Sequence, residues 1–113
     1  MIKIYHNPRC SKSREGLSIL EESGKEFEII DYMKTHVSEN ELNELIKKLN
    51  INPIDLVRKN EEIWKQNFKD KKLTDKKIVK AMADNPKLIE RPIVMNENKA
   101  VIGRPPVLIK DIL

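Results

Sequence analysis

Four short apolar stretches constrain the fold of this 113-residue chain most: two near its start and two near its end. Ile2-Lys3-Ile4-Tyr5 and Phe27-Glu28-Ile29-Ile30 read as strands. Between them Leu17, Ile19 and Leu20 supply the apolar face of a helix, which Ser23-Gly24 ends, glycine being the residue that best closes a helix C-terminus. Strand, helix and strand within thirty residues form a βαβ unit, so the first two strands are expected to run parallel. Ile93-Val94-Met95 and Lys99-Ala100-Val101-Ile102 form a second pair around the turn Asn96-Glu97-Asn98, and Val107 to Leu113 closes the chain as a helix.

Between these pairs, from Ser38 to Asp84, no strand candidate is found. Ser38-x-x-Glu41 is a capping box, and Leu42, Leu45, Ile46 and Leu49 recur behind it at helical spacing. Asn52-Pro53 starts a short helix running through Leu56, Val57 and Arg58, and Ile63, Trp64 and Phe68 mark a further segment, with Trp64 as a packing residue. Thr74 or Asp75 caps a helix whose Ile78, Ala81 and Met82 face inward and which stops near Asn85-Pro86. The expectation is an α/β chain, β-α-β then β-β-α, forming a single domain over 1–113 with a helical insertion at 38–84.

The formal net charge is +4, and Arg58 to Lys80 alone carries nine Lys/Arg against four Asp/Glu, so the basic excess lies in the insertion. That segment reads either as a solvated helical face or as a docking surface for an acidic partner. Without aromatic interleaving or a binding motif, nucleic acid is not expected. No apolar run reaches the ~20 residues of a membrane span, and Lys3, His6, Asn7, Arg9 and Lys12 break up any signal-peptide core. A cytoplasmic, monomeric protein is expected. One cysteine rules out an internal disulfide.

That cysteine, Cys10, stands between the first strand and the first helix, in His6-Asn7-Pro8-Arg9-Cys10-Ser11-Lys12-Ser13-Arg14. A sulfur at a helix N-terminus meets unpaired backbone N–H groups and the positive end of the helix dipole, which favour the thiolate. His6, Arg9, Lys12 and Arg14 could add positive potential. The competing reading is a small buried hydrophobe. A dithiol pair fails because Ser13 occupies the +3 position, and a phosphatase-type loop fails because Gly16 stands where its arginine belongs. Zinc fails too, since His6, His36 and one cysteine form no ligand cluster, so no metal is expected. A lone thiolate must borrow a second thiol to complete any redox cycle. Arg91 before Pro92 and Arg104 before Pro105 are aimed by stiff backbone and could hold an oxyanion by bidentate hydrogen bonds, with Arg58 as a third. Each could equally be a surface ion pair, and His6 a hydrogen-bonded histidine at a strand end.

Three separated motifs carry a resemblance across essentially the whole chain: Tyr5 to Arg14, Asn85-Pro86-Lys87-Leu88-Ile89-Glu90-Arg91-Pro92-Ile93-Val94, and Ile102-Gly103-Arg104-Pro105-Pro106. In these the chain resembles the glutaredoxin-coupled arsenate reductases, and its Cys-Ser-Lys-Ser-Arg form resembles one subgroup of their relatives. The best-established members carry Gly-Thr in place of Ser11-Lys12. The resemblance implies a thioredoxin-like fold with Pro92 as its structural cis-proline. It implies Cys10 as nucleophile, with His6, Ser13 and Arg14 stabilising the thiolate. It places Arg58, Arg91 and Arg104 on arsenate, with no bound cofactor, glutathione as co-substrate and glutaredoxin as partner. Two alternatives stand beside it. One is a single-cysteine thiol–disulfide oxidoreductase acting on another substrate. The other is a non-enzymatic regulator of the RNA-polymerase-binding type, which shares this fold but usually carries a CxxC switch that Ser13 denies.

Overall fold

The computed structural model describes residues 1–113. The chain forms two compact units, one of Met1–Thr35 with Arg91–Leu113 and the other of His36–Glu90.

The first unit is built on a four-stranded sheet in the order β2-β1-β3-β4, from β1 (Ile2–Tyr5), β2 (Phe27–Ile30), β3 (Ile93–Asn96) and β4 (Lys99–Ile102). β1 and β2 are parallel, as the short βαβ connection requires, and β1–β3 and β3–β4 are antiparallel. This is the thioredoxin-like sheet. α1 (Ser11–Ser23) makes the crossover and ends at Gly24, whose φ of 73° is the left-handed geometry that suits glycine. Register explains the core. Ile4 lies opposite Val94, and Val94 opposite Val101, so one sheet face presents a row of branched side chains. Leu20 of α1 and Ile109 of the closing segment pack there with Ile2, all 5% exposed or less.

Three details differ from the sequence expectations. The closing helix is 3-10 throughout, Pro106–Ile112. β3 extends through Asn96, which pairs with Lys99 and leaves Glu97-Asn98 as the turn, Glu97 at φ 60°. A single turn of helix, α2 (Tyr32–Thr35), follows β2 and was not foreseen, because four residues hold no periodicity.

The second unit is helical: α3 (Glu39–Leu49), α4 (Glu62–Asn67) and α5 (Asp75–Asp84), with 3-10 turns at Pro53–Leu56 and Pro86–Leu88. It extends past the expected 38–84 at both ends. Ser38 Oγ accepts from the Glu41 N–H, and Thr74 Oγ1 from the Lys77 N–H, so Thr74 rather than Asp75 caps α5. Leu42, Leu45 and Ile46 of α3 and Ile78, Val79 and Met82 of α5 form the buried faces. Trp64 is buried and stacks on Phe68 with ring centroids 5.4 Å apart. The short helix stops at Leu56, and Val57 instead makes an isolated antiparallel bridge with Ile89, so the segment read as strand-free contains one bridging residue. No helix is long and apolar enough to cross a membrane.

Candidate functional site

Cys10 is the N-cap of α1, with extended backbone (φ −97°, ψ 123°). The loop that presents it is held by backbone and side-chain bonds from Asn7. The Asn7 carbonyl accepts the Cys10 N–H at 3.0 Å and its Oδ1 accepts the Arg9 N–H at 3.0 Å. Sequence reasoning passed over Asn7, although Asn before Pro is a turn-initiating pair that could have flagged it. Arg14 braces the same loop, its Nη1 donating to the Pro8 carbonyl at 2.9 Å.

The thiol is partly exposed and its pKa is lowered. Burial is the largest single influence and pushes it up. The Ser13 backbone N–H, the hydrogen bond and charge of Arg91, and the Lys12 backbone N–H together outweigh burial. No side-chain bond of strict cap geometry closes the α1 N-terminus. Its N–H groups act on the sulfur as aligned dipoles, which a diffuse thiolate accepts at longer range.

Two arginines converge on the sulfur. Arg104 Nη2 lies 3.6 Å from Cys10 Sγ, and its Nε donates to the Arg91 carbonyl at 2.9 Å. The guanidinium is therefore oriented before any ligand arrives, with one donor on the backbone and one on the sulfur. Arg91 supplies the second charge from the residue before Pro92. The Arg91-Pro92 peptide is cis, and so is Arg104-Pro105, which the sequence reading did not anticipate. Pro92 is packed between two glycines. A Cβ on Gly16 or on Gly103 would lie 2.9 Å from Pro92 Cγ.

His6 is 6% exposed at the end of β1, and its Nδ1 lies 2.6 Å from Ser13 Oγ, which also accepts the Asn7 N–H at 3.0 Å. Burial, the largest influence, lowers the His6 pKa, and Arg14 lowers it further, while Asp31 and Ser13 raise it. The imidazole meets the Ser13 hydroxyl, and the Ser13 backbone N–H acts on the Cys10 sulfur. Among the cations considered from sequence, Arg91 and Arg104 act on the sulfur, whereas Arg14 holds backbone.

Arg58 belongs to the helical unit. Its Nε and Nη1 lie 3.8 Å from carboxylate oxygens of Glu61 and Glu90, and its backbone N–H donates to the Leu88 carbonyl. His36 is exposed at φ 62°. No group of three or more His, Cys, Asp or Glu side chains converges anywhere.

The unit that carries Cys10 therefore brings together a thiol of lowered pKa and two guanidinium groups. An arsenate reductase of Haemophilus influenzae is 44% identical over 97% of both chains. The Escherichia coli K12 protein YfgD, described as uncharacterized, is 46% identical over 99% of this chain and 96% of its own. The solved structure of an arsenate reductase from Vibrio cholerae superposes with a TM-score of 0.94 at 45% identity, covering 99% of this chain and 97% of the other. The sequence pattern of the ArsC family matches residues 5–112, and the chain belongs to that family.

Proposed function

We propose that this protein is an arsenate reductase that uses Cys10 alone and draws its electrons from glutathione and a glutaredoxin. The observation that carries this reading is the Cys10 sulfur beneath the Arg104 guanidinium at 3.6 Å, with Arg91 alongside. Two guanidinium groups beside the sulfur suit a tetrahedral oxyanion, which they hold by charge-assisted hydrogen bonds. They also place its central atom near the nucleophile, which converts a bimolecular encounter into an oriented one. The names of the relatives from Haemophilus influenzae and Vibrio cholerae support arsenate as that oxyanion.

The reaction proceeds in three displacements. The Cys10 thiolate attacks arsenic(V), an S–As bond forms, and one oxygen leaves as water after taking up a proton. The arginines neutralise the charge on the remaining oxygens. A glutathione thiolate then attacks Cys10 Sγ. The S–As electron pair stays on arsenic, which departs as arsenite, and Cys10 is left in a mixed disulfide with glutathione. A glutaredoxin thiolate takes the glutathionyl group and Cys10 is released as a thiolate. Two thiols supply the two electrons, as a chain with one cysteine requires. The protein is read as cytoplasmic and monomeric. The part that the resemblance gives Arg58 is tested by Arg58→Gln.

The decisive experiment is turnover of arsenate by the purified protein with glutathione, glutaredoxin and a coupled NADPH assay. Arsenite formation that disappears in Cys10→Ser is the expected result. No turnover, with Cys10 alkylated readily and the coupling system active on a control disulfide, would remove the arsenate reading. Turnover of glutathionylated disulfides without arsenate would instead establish a single-cysteine thiol–disulfide oxidoreductase.

A further inference from the structure

Asp31 follows β2 and takes no part in the chemistry described so far. The β1–β2 register pairs Tyr5 with Ile30, and the His6 N–H donates to the Ile30 carbonyl at 2.9 Å. That bond holds the His6 backbone against the last residue of β2, so Asp31, the next residue along, lies close to the end of β1. Asp31 Oδ1 is fully buried and accepts no hydrogen bond. No direct bond joins it to the imidazole. It acts on the ring by charge.

The next link is short. His6 Nδ1 and Ser13 Oγ are 2.6 Å apart, and Ser13 Oγ already accepts the Asn7 N–H. When the ring is neutral with its proton on Nε2, the Ser13 hydroxyl must donate to Nδ1. When the ring is protonated, Nδ1–H donates to Ser13 Oγ, and the hydroxyl hydrogen is freed to turn elsewhere. Starting from that tautomer, one proton added to His6 reverses the hydrogen bond with Ser13. We propose that Asp31 is a positioning residue that sets the proton occupancy of His6 and so determines whether the Ser13 hydroxyl donates to the imidazole or into the Cys10 loop.

The surrounding groups define the balance. Burial and Arg14 on α1 disfavour the imidazolium, and Asp31 and Ser13 favour it. On the opposite side, the β1–β3 register ends with Tyr5 opposite the apolar Ile93. The switch concerns the thiolate's surroundings and is independent of which oxyanion Cys10 attacks.

Histidine-ring NMR of the full chain, with iodoacetamide alkylation of Cys10 across pH 4.5–9, tests this without arsenate or a coupling protein. Asp31→Asn is expected to move the His6 titration to lower pH, and Asp31→Glu to return it towards wild type. The wild-type alkylation profile is expected to show a second inflection at the His6 midpoint. That inflection should follow His6 in Asp31→Asn and be lost in Ser13→Ala, where His6 still titrates. A His6 midpoint unchanged in Asp31→Asn overturns the proposal, as does an inflection that survives Ser13→Ala. If Asp31→Asn does not fold, the wild-type Asp31 side-chain carbon gives the answer. A step in its shift at the His6 midpoint supports the coupling, and a flat response there overturns it.

Discussion

Replacing Gly103 by alanine tests how the cis-proline loop is held against the nucleophile. The new Cβ would stand 2.9 Å from Pro92 Cγ, 3.0 Å from Ile109 Cδ1 and 3.2 Å from Ile109 Cγ1. None of these is the free end of an exposed chain, because Pro92 and Ile109 are both among the fully buried side chains. Pro92 is tied further by its carbonyl, which accepts the Gly103 N–H at 2.8 Å. Overpacking of a closed core costs about 1–3 kcal/mol. Alanine stiffens the unfolded chain and offsets about 0.4–1 kcal/mol of that. The net expectation is a loss of about 0.5–2 kcal/mol, read by urea unfolding, with the melting temperature down by roughly 2–8 °C for a chain of this size. A double-mutant cycle with Ile109→Val sharpens the test. That substitution alone costs about 0.5–1.5 kcal/mol. Combined with Gly103→Ala it removes the Cδ1 contact but leaves the one to Pro92, so the pair should cost less than the sum by about 0.5 kcal/mol or more. Displacement of Pro92 also moves Arg91, so the Cys10 thiol pKa should rise in Gly103→Ala. Full stability, or additivity within about 0.3 kcal/mol, would show that the loop is not clamped where the structure places it.

Arg104→Lys keeps the charge but cannot hold the Arg91 carbonyl and face the sulfur together. Its Cys10 pKa should rise, and its KM for arsenate should increase roughly tenfold or more, the scale of one charge-assisted bond. Folding stability should depend on pH through His6, whose folded pKa lies below its unfolded value of 6.5. The unfolded chain then binds more protons as pH falls through that range. His6 therefore contributes stability that is complete above pH 6.5 and is lost as pH falls through the folded value, and urea midpoints of His6→Gln should show a shallower slope there. The Cys10 alkylation rate should hold to lower pH than that of a free cysteine, in keeping with its lowered pKa. Thr74→Ala should cost about 1 kcal/mol by removing the α5 cap, with arsenate turnover unchanged.

The fold was legible because its signals are local. Alternation in β1, the Gly24 stop and the Ser38 cap each act within a few residues, and a helical crossover between β1 and β2 favours parallel pairing. Cys10 was legible for the same reason, since N-cap position and its electrostatic consequence follow from ten consecutive residues. The 3-10 form of Pro106–Ile112 was not, because apolar spacing alone does not separate it from an α-helix.

The sequence by itself determined a lone cysteine at a strand-to-helix junction, the absence of a second cysteine, and the chain order of strands and helices around a helical insertion. Only the tertiary structure decided which cations serve that sulfur. Arg9, Lys12 and Arg14 are near it along the chain, yet Arg14 turns to the Pro8 carbonyl, and Arg104, ninety-four residues away, places its guanidinium 3.6 Å from the thiolate. The reason is physical. Charge acts through distance in space, and sheet pairing brings the segment before β3, with Arg91, and the segment after β4, with Arg104, to the end of β1 from which the Cys10 loop leaves. The same pairing, extended by the His6 N–H on the Ile30 carbonyl, brings Asp31 close to His6.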